Sequence, residues 1–244
     1  MSKRHEQKRL DDDLQLDQCL KTEAGRSQHW ADLLGYCHAD SMCSLLESTL
    51  HLPGDVIECG VYRGTSLRKI GRMISEISPD KELFACDSFA GFPEEKVGRI
   101  DVGWFRFLSR LRKKFQLADD TPARMEQFFS MYNIKGKIVK GFFSDTLQQF
   151  KQNSFCFIHV DCDIYESHIE CLDELYQNLV PGGVAVFDDY GTKGWPGATV
   201  AVDEFFSSRD EAPSQSFDRE TAAWYVRKPL ASVQTSADLQ RQAG

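Results

Sequence analysis

Residues 55–77 read DVIECGVYRGTSLRKIGRMISEI. A short apolar run ends at Gly60, a second glycine follows at Gly64, and Leu67, Ile70, Met73, Ile74 and Ile77 then recur at helical spacing. That is a strand, a glycine turn and an amphipathic helix, with Thr65 or Ser66 as the expected cap. A turn of this kind brings backbone close to a ligand and aims helix N–H groups at it. Its spacing is not G-x-G-x-x-G, so the dinucleotide fingerprint is not met.

The same alternation continues down the chain. Strands are expected at 82–89 (ELFACDSF), from 137 (KIVKGFFSDTL), at 154–161 (SFCFIHVD), at 182–189 (GGVAVFDD) and at 222–229 (AAWYVRKP). Helices are expected at 121–134, 164–180 and 199–208, and in the second of these Tyr165, Ile169, Leu172, Leu175, Tyr176 and Leu179 are expected to face inward. Near-continuous apolar strands alternating with amphipathic helices predict an α/β fold, with a mostly parallel sheet covered on both faces. In such sheets the ligand lies beyond the carboxyl ends of the strands.

Outside this region the chain divides by composition. Residues 1–28 form a charged tail or loose surface helix, and 29–51 a helical segment broken near Asp40. The turn LPGD (52–55) marks the main boundary, residues 52–229 form the principal domain, and 230–244 form a polar tail. Within the domain an insertion at about 94–120, including the basic and aromatic GWFRFLSRLRKKF, is longer than an ordinary connection and is expected to act as a lid or an interface. A second copy of the chain is one partner such a face would take.

The formal net charge of −8 argues against nucleic acid as the main partner, because phosphate contacts need a basic footprint. No apolar run approaches membrane-spanning length, and the basic N-terminus lacks the apolar core of a secretory signal. The eight cysteines form no CxxC pair, which suits reduced, buried thiols in a cytoplasmic protein.

Four expected strands end in acids: Glu58, Asp87, the pair Asp161 and Asp163, and the doublet Asp188–Asp189. Carboxylates after the first two strands create a poor field for a dinucleotide pyrophosphate. They suit a ligand with an amine, a sulfonium and a ribose, which describes S-adenosylmethionine. Asp161 and Asp163 stand two apart and can face one cavity if the segment is extended. Three or four crowded carboxylates cannot all stay ionised without a cation, and Mg²⁺ suits all-oxygen ligands. His159 reads as a satisfied core histidine, and His168 as either a surface residue or one that supports the site from behind. Trp195 and Pro196 are candidates for the roof of a substrate pocket.

The segments PGDVIECGVYRGTS, DSFAGFP, GFFSDTL, HVDCDIYESHIECLDELYQNLVPGGVAVFDDYG and AVDEFF, taken in order, resemble the macrocin O-methyltransferase family. The resemblance implies a Rossmann-like class I methyltransferase fold that uses S-adenosylmethionine and Mg²⁺ to methylate a hydroxyl of a sugar or glycosylated natural product. It implies that Asp161, Asp188 and Asp189 hold the metal and that Asp163 is the general base. It also implies that Glu58, Gly60, Asp87, Ser88, Gly91, Asp145 and Asp161 line the cofactor site. Cys162 stands where many relatives have glycine, and its side chain is expected to point away from the metal. A DxD glycosyltransferase and a non-catalytic methyltransferase-like binding protein are the competing readings.

Overall fold

The computed structural model describes residues 22–98, 100–101, 121–217 and 219–230. Residues 1–21 and 231–244 of the expected tails, and 99 and 102–120 of the expected insertion, lie outside the described residues.

The opening strand is β1 (Asp55–Cys59), and α3 (Thr65–Ile77) follows it. The further strands are β2 (Leu83–Asp87), β3 (Gly136–Lys140), β4 (Phe155–Val160), β5 (Leu179–Phe187), β6 (Ser214–Ser216) and β7 (Ala223–Arg227). They form one sheet in the order β3-β2-β1-β4-β5-β7-β6. β3, β2, β1, β4 and β5 run parallel, and β7 pairs antiparallel with both β5 and β6. This is the Rossmann-like class I methyltransferase fold.

Strand alternation sorts the side chains into two cores. On one face Val56, Ala85, Phe157, Val184 and Val186 pack with α1 (Glu23–His38), α2 (Ser41–Glu47), α3 and α4 (Thr121–Met131). On the other, Ile57, Cys59, Phe84, Cys86, Ile158, Val160 and Phe187 meet α6 (Tyr165–Leu175) and α7 (Pro196–Phe206). β4 breaks the alternation once: Cys156 and Phe157 both belong to the first core, where its register against β1 and β5 shifts. Four-residue α5 (Phe143–Thr146) precedes a 3-10 turn that buries Leu147 and Phe150.

Several expectations are corrected here. The N-terminal helix begins at Glu23, inside the stretch read as a charged tail or loose surface helix and ahead of the expected start at 29, because Thr22 accepts the Gly25 N–H and caps it. The cap of α3 is Gly64 in a left-handed conformation, and neither Thr65 nor Ser66 serves. Ile77 is 44% exposed, whereas Arg68 and Arg72 on the same helix are buried. The reason is α1, which covers a second side of α3. Arg72 donates to the Trp30 carbonyl and lies 4.4 Å from the Trp30 ring centroid. Asp40 caps α2 and also takes Lys69 of α3 at 2.5 Å. On α6 the buried face carries Ser167, His168, Cys171, Leu172 and Leu175. Tyr165 and Ile169 are only partly covered, and the Tyr165 hydroxyl donates to Glu204 of α7.

Candidate active site

All the expected acids lie at the carboxyl edge of the sheet, but each is held in its own way. Gly60 leaves β1 at φ 94° and Gly64 enters α3 at φ 79°. A Cβ at Gly60 would overlap the carbonyl oxygen of Asp161, so this glycine is required by the close approach of β1 to the end of β4. The Asp161 N–H donates to the Cys59 carbonyl at 2.8 Å along the same contact.

Asp87 closes the turn from the neighbouring strand. Its Oδ2 accepts the N–H groups of Val61 at 2.8 Å and Tyr62 at 2.9 Å, and its Oδ1 accepts that of Phe89 at 2.7 Å. Ser88 donates to the Gly91 carbonyl and accepts the Ala90 N–H, which folds 88–91 back on itself. Asp145 is exposed on α5, beyond the end of β3. The Gly141 N–H, just after β3, reaches the Asp87 carbonyl, which ties these two strand ends together.

Glu58 is fully buried. Its Oε1 lies 2.9 Å from His159 Nδ1, while its Oε2 has no hydrogen-bond partner among the described residues. A buried carboxylate oxygen left over in this way is fitted to take an ammonium donor. His159 is thus a satisfied core histidine. Burial pulls its imidazole down, but the hydrogen bond and charge of Glu58 outweigh this and hold it above the ordinary value.

Asp161, Asp188 and Asp189 converge, each offering one carboxylate oxygen within 4.8 Å of the other two. Burial and the charges of Asp188, Asp189, Asp163 and Glu58 push the Asp161 carboxyl well above its ordinary range. Burial and Asp188 push Asp189 up to about 7, despite the Asp163 N–H that it accepts at 2.9 Å. Such crowding is relieved by a proton or by a cation, and the all-oxygen donor set fits a hard divalent ion.

Asp163 differs from the extended expectation. Its φ is 64°, a left-handed conformation that aspartate tolerates better than most residues. Its backbone thereby turns the N–H onto Asp189, and its side chain stands outside the three-carboxylate cluster. Cys162 is buried in the second core against His168, facing away from the acids as expected. His168 is also buried, which rules out the surface reading of the two offered for it. Trp195 immediately precedes α7 and lies 5.7 Å from the Phe92 ring, joining the loops after β5 and β2.

A family model described as Macrocin-O-methyltransferase (TylF) matches residues 39–227. The chain belongs to this family. Demethyldecarbamoylnovobiocin O-methyltransferase of Streptomyces niveus is 28% identical over 178 residues, covering 71% of this chain and 66% of that protein. A tetracenomycin relative from Streptomyces olivaceus, 8-demethyl-8-(2,3-dimethoxy-alpha-L-rhamnosyl)-tetracenomycin-C 4'-O-methyltransferase, is 29% identical over 166 residues, or 65% of this chain and 62% of that one. The chain therefore spans about two thirds of the length of these relatives. Among solved structures, the O-methyltransferase NovP superposes with TM-score 0.67 at 23% identity, covering 79% of this chain and 80% of that one. The calicheamicin methyltransferase CalS11 gives 0.56 at 22% identity, with coverages of 81% and 78%. At these identities the structural likeness speaks to the fold.

One buried polar residue that the sequence did not single out lies against the two helices that follow the acidic loops. Asp101 is fully buried between α6 and α7, accepting N–H groups from Tyr165 and Gly197. It ends no strand and lies in a basic segment, so neither periodicity nor strand-end position points to it.

Proposed function

We propose that the chain is an S-adenosylmethionine-dependent, Mg²⁺-dependent O-methyltransferase acting on a hydroxyl of a sugar or glycosylated natural product. The observation that carries this reading is the meeting of Asp161, Asp188 and Asp189 beside the Glu58 and Asp87 loops, in a member of the macrocin O-methyltransferase family. The sugar is suggested by the rhamnosyl compound in the name of one relative.

On this reading Glu58 Oε2 takes the ammonium of the cofactor, Asp87 lies where ribose hydroxyls are bound, and the 88–91 turn and Asp145 border the nucleoside. Asp161, Asp188 and Asp189 hold the cation, which when bound orients neighbouring acceptor oxygens and lowers the pKa of the hydroxyl to be methylated. Asp163 accepts the proton that this hydroxyl loses. The cofactor, when bound, would supply the methyl group from its sulfonium: the acceptor oxygen would gain the methyl carbon as the carbon–sulfur bond breaks, and a thioether would leave. Trp195 and Phe92 offer an aromatic wall for the acceptor.

The test combines a methyl-transfer assay, using labelled cofactor and a panel of glycosylated acceptors, with calorimetry. Asp161→Asn and Asp189→Asn are expected to lower turnover at least about 100-fold, while S-adenosylhomocysteine affinity stays within about 3-fold. Full activity in excess chelator would end the metal role. Cofactor binding without transfer to any acceptor would favour the non-catalytic reading. Binding of a nucleotide sugar in place of the cofactor would favour the glycosyltransferase.

A further inference from the structure

Helices α6 and α7 begin directly after the two loops that carry the clustered acids. α6 starts two residues beyond Asp163, and α7 starts beyond the turn that follows Asp188–Asp189. Each helix opens with N–H groups that need an acceptor. Neither has a local one: the cap positions are Ile164 and Trp195, and no side-chain hydrogen bond is made at either. A single carboxylate serves both. Asp101 Oδ2 accepts the Tyr165 N–H at 2.9 Å, and Oδ1 accepts the Gly197 N–H at 3.1 Å.

The geometry is specific on both sides. Asp101 is fully buried, and the positive ends of two helix dipoles converge on its charge. A Cβ at Gly197 would overlap the Asp101 carboxylate, so α7 can approach only because this position is glycine. The approach to Asp101 runs along α6, where Lys96 pairs with Glu170 at 2.6 Å and Gly98 packs against the Glu166 carboxylate.

We propose that Asp101 is a positioning residue of the active site: by capping α6 and α7 together, it sets the gap between Asp161 on one loop and Asp188–Asp189 on the other. The acids themselves would repel and spread. The clamp holds their two loops at a separation suited to sharing a cation. This inference rests on the metal reading above.

The test is calorimetric titration of metal-free protein with Mg²⁺, with Mn²⁺ as a second probe, alongside S-adenosylhomocysteine titration and thermal unfolding. Asp101→Asn and Gly197→Ala are compared with the unaltered chain. Both are expected to weaken Mg²⁺ about 10-fold or more, with S-adenosylhomocysteine affinity within about 3-fold. Gly197→Ala separates position from charge, because it displaces the carboxylate and keeps every charge. Loss in Asp101→Asn alone would assign the effect to charge and overturn the proposal. So would wild-type Mg²⁺ affinity in both variants, or parallel loss of both ligands with a collapsed unfolding transition. An unaltered chain that binds neither Mg²⁺ nor Mn²⁺ would overturn the metal reading itself, and the clamp's role with it.

Discussion

His168 carries its imidazole into the second core with no solvent exposure. Nδ1 lies 3.0 Å from the Ile164 carbonyl and 3.4 Å from Cys162 Sγ, while Nε2 has no partner among the described residues. Burial therefore lowers its pKa from 6.5 to about 4, only partly offset by the Ile164 carbonyl. Between these values the unfolded chain binds the proton and the fold does not. The contribution of His168 to stability is thus fully present above about pH 6.5 and lost as the pH falls towards 4. Replacing His168 by Leu is expected to remove about 3 kcal/mol of this acid dependence. Urea unfolding at pH 7 and pH 4.5 checks it through the difference between variant and wild type. His29 shifts in the same direction, so the dependence will shrink without vanishing. At this scale the sequence was legible in part. Asp161, Asp188 and Asp189 could be placed together because each ends or follows an apolar strand. The surface reading of His168 fails because the helix buries a face one residue away from the one that Tyr165 and Ile169 suggested. Asp101 was missed because its role comes from tertiary contact with two helices that follow it in the chain.

Among the elements, α1 extends an expected helix into the charged stretch before it. Residues 29–38 lie in the expected helical segment, where Leu33 and Cys37 are buried and Trp30 is a hub, and the helix starts six residues earlier, at Glu23. The Trp30 ring stacks on Tyr132 at 4.0 Å and covers the Arg72 guanidinium. Trp30→Ala is expected to cost about 3 kcal/mol in chemical denaturation, from lost ring packing and an Arg72 left half-covered. Affinity for S-adenosylhomocysteine should change little, because Trp30 packs on Arg72 of α3 and on Phe128 of α4 and the neighbouring Tyr132. The strands and helices around the site were largely legible, since β1, β2, β4 and β5 are apolar runs ended by glycine or acid. β6 was not: Ser214, Gln215 and Ser216 carry no apolar signal, and they form a strand only because β7 offers an edge to pair with. The short α5 likewise has no period to read.

For the whole molecule, the turn at 52–55 is a change in composition, but the core runs straight across it. Leu33, Cys37, Met42, Cys43, Leu45, Leu46 and Leu50 share one cluster with Val56, Leu67, Ile70, Phe128 and Val184. Arg227 reaches back to Ser48, and the backbone of Glu220 and Thr221 donates to the Ala39 carbonyl. Removing residues 1–51 is accordingly expected to abolish the cooperative unfolding transition and to give a species that binds a hydrophobic dye, rather than a trimmed, folded domain. Retained cooperativity in calorimetry would show instead that the two helical segments are an appendage.

All seven described cysteines are buried and outside any disulfide: Cys37 on α1 and Cys43 on α2, Cys59, Cys86 and Cys156 in the sheet, Cys162 in the loop after β4 and Cys171 on α6. Burial holds the Cys162 thiol up at about 12 and those of Cys59 and Cys171 well above their ordinary value, and the hydrogen bond with Cys59, together with burial, does the same for Cys86. A thiol that is both enclosed and protonated reacts with an alkylating reagent only when its surroundings open. The chain therefore carries its own set of opening reporters. Site-resolved alkylation rates would rank the free energy of opening at the N-terminal helices, the central strands and the acidic loops in the same unmodified molecule.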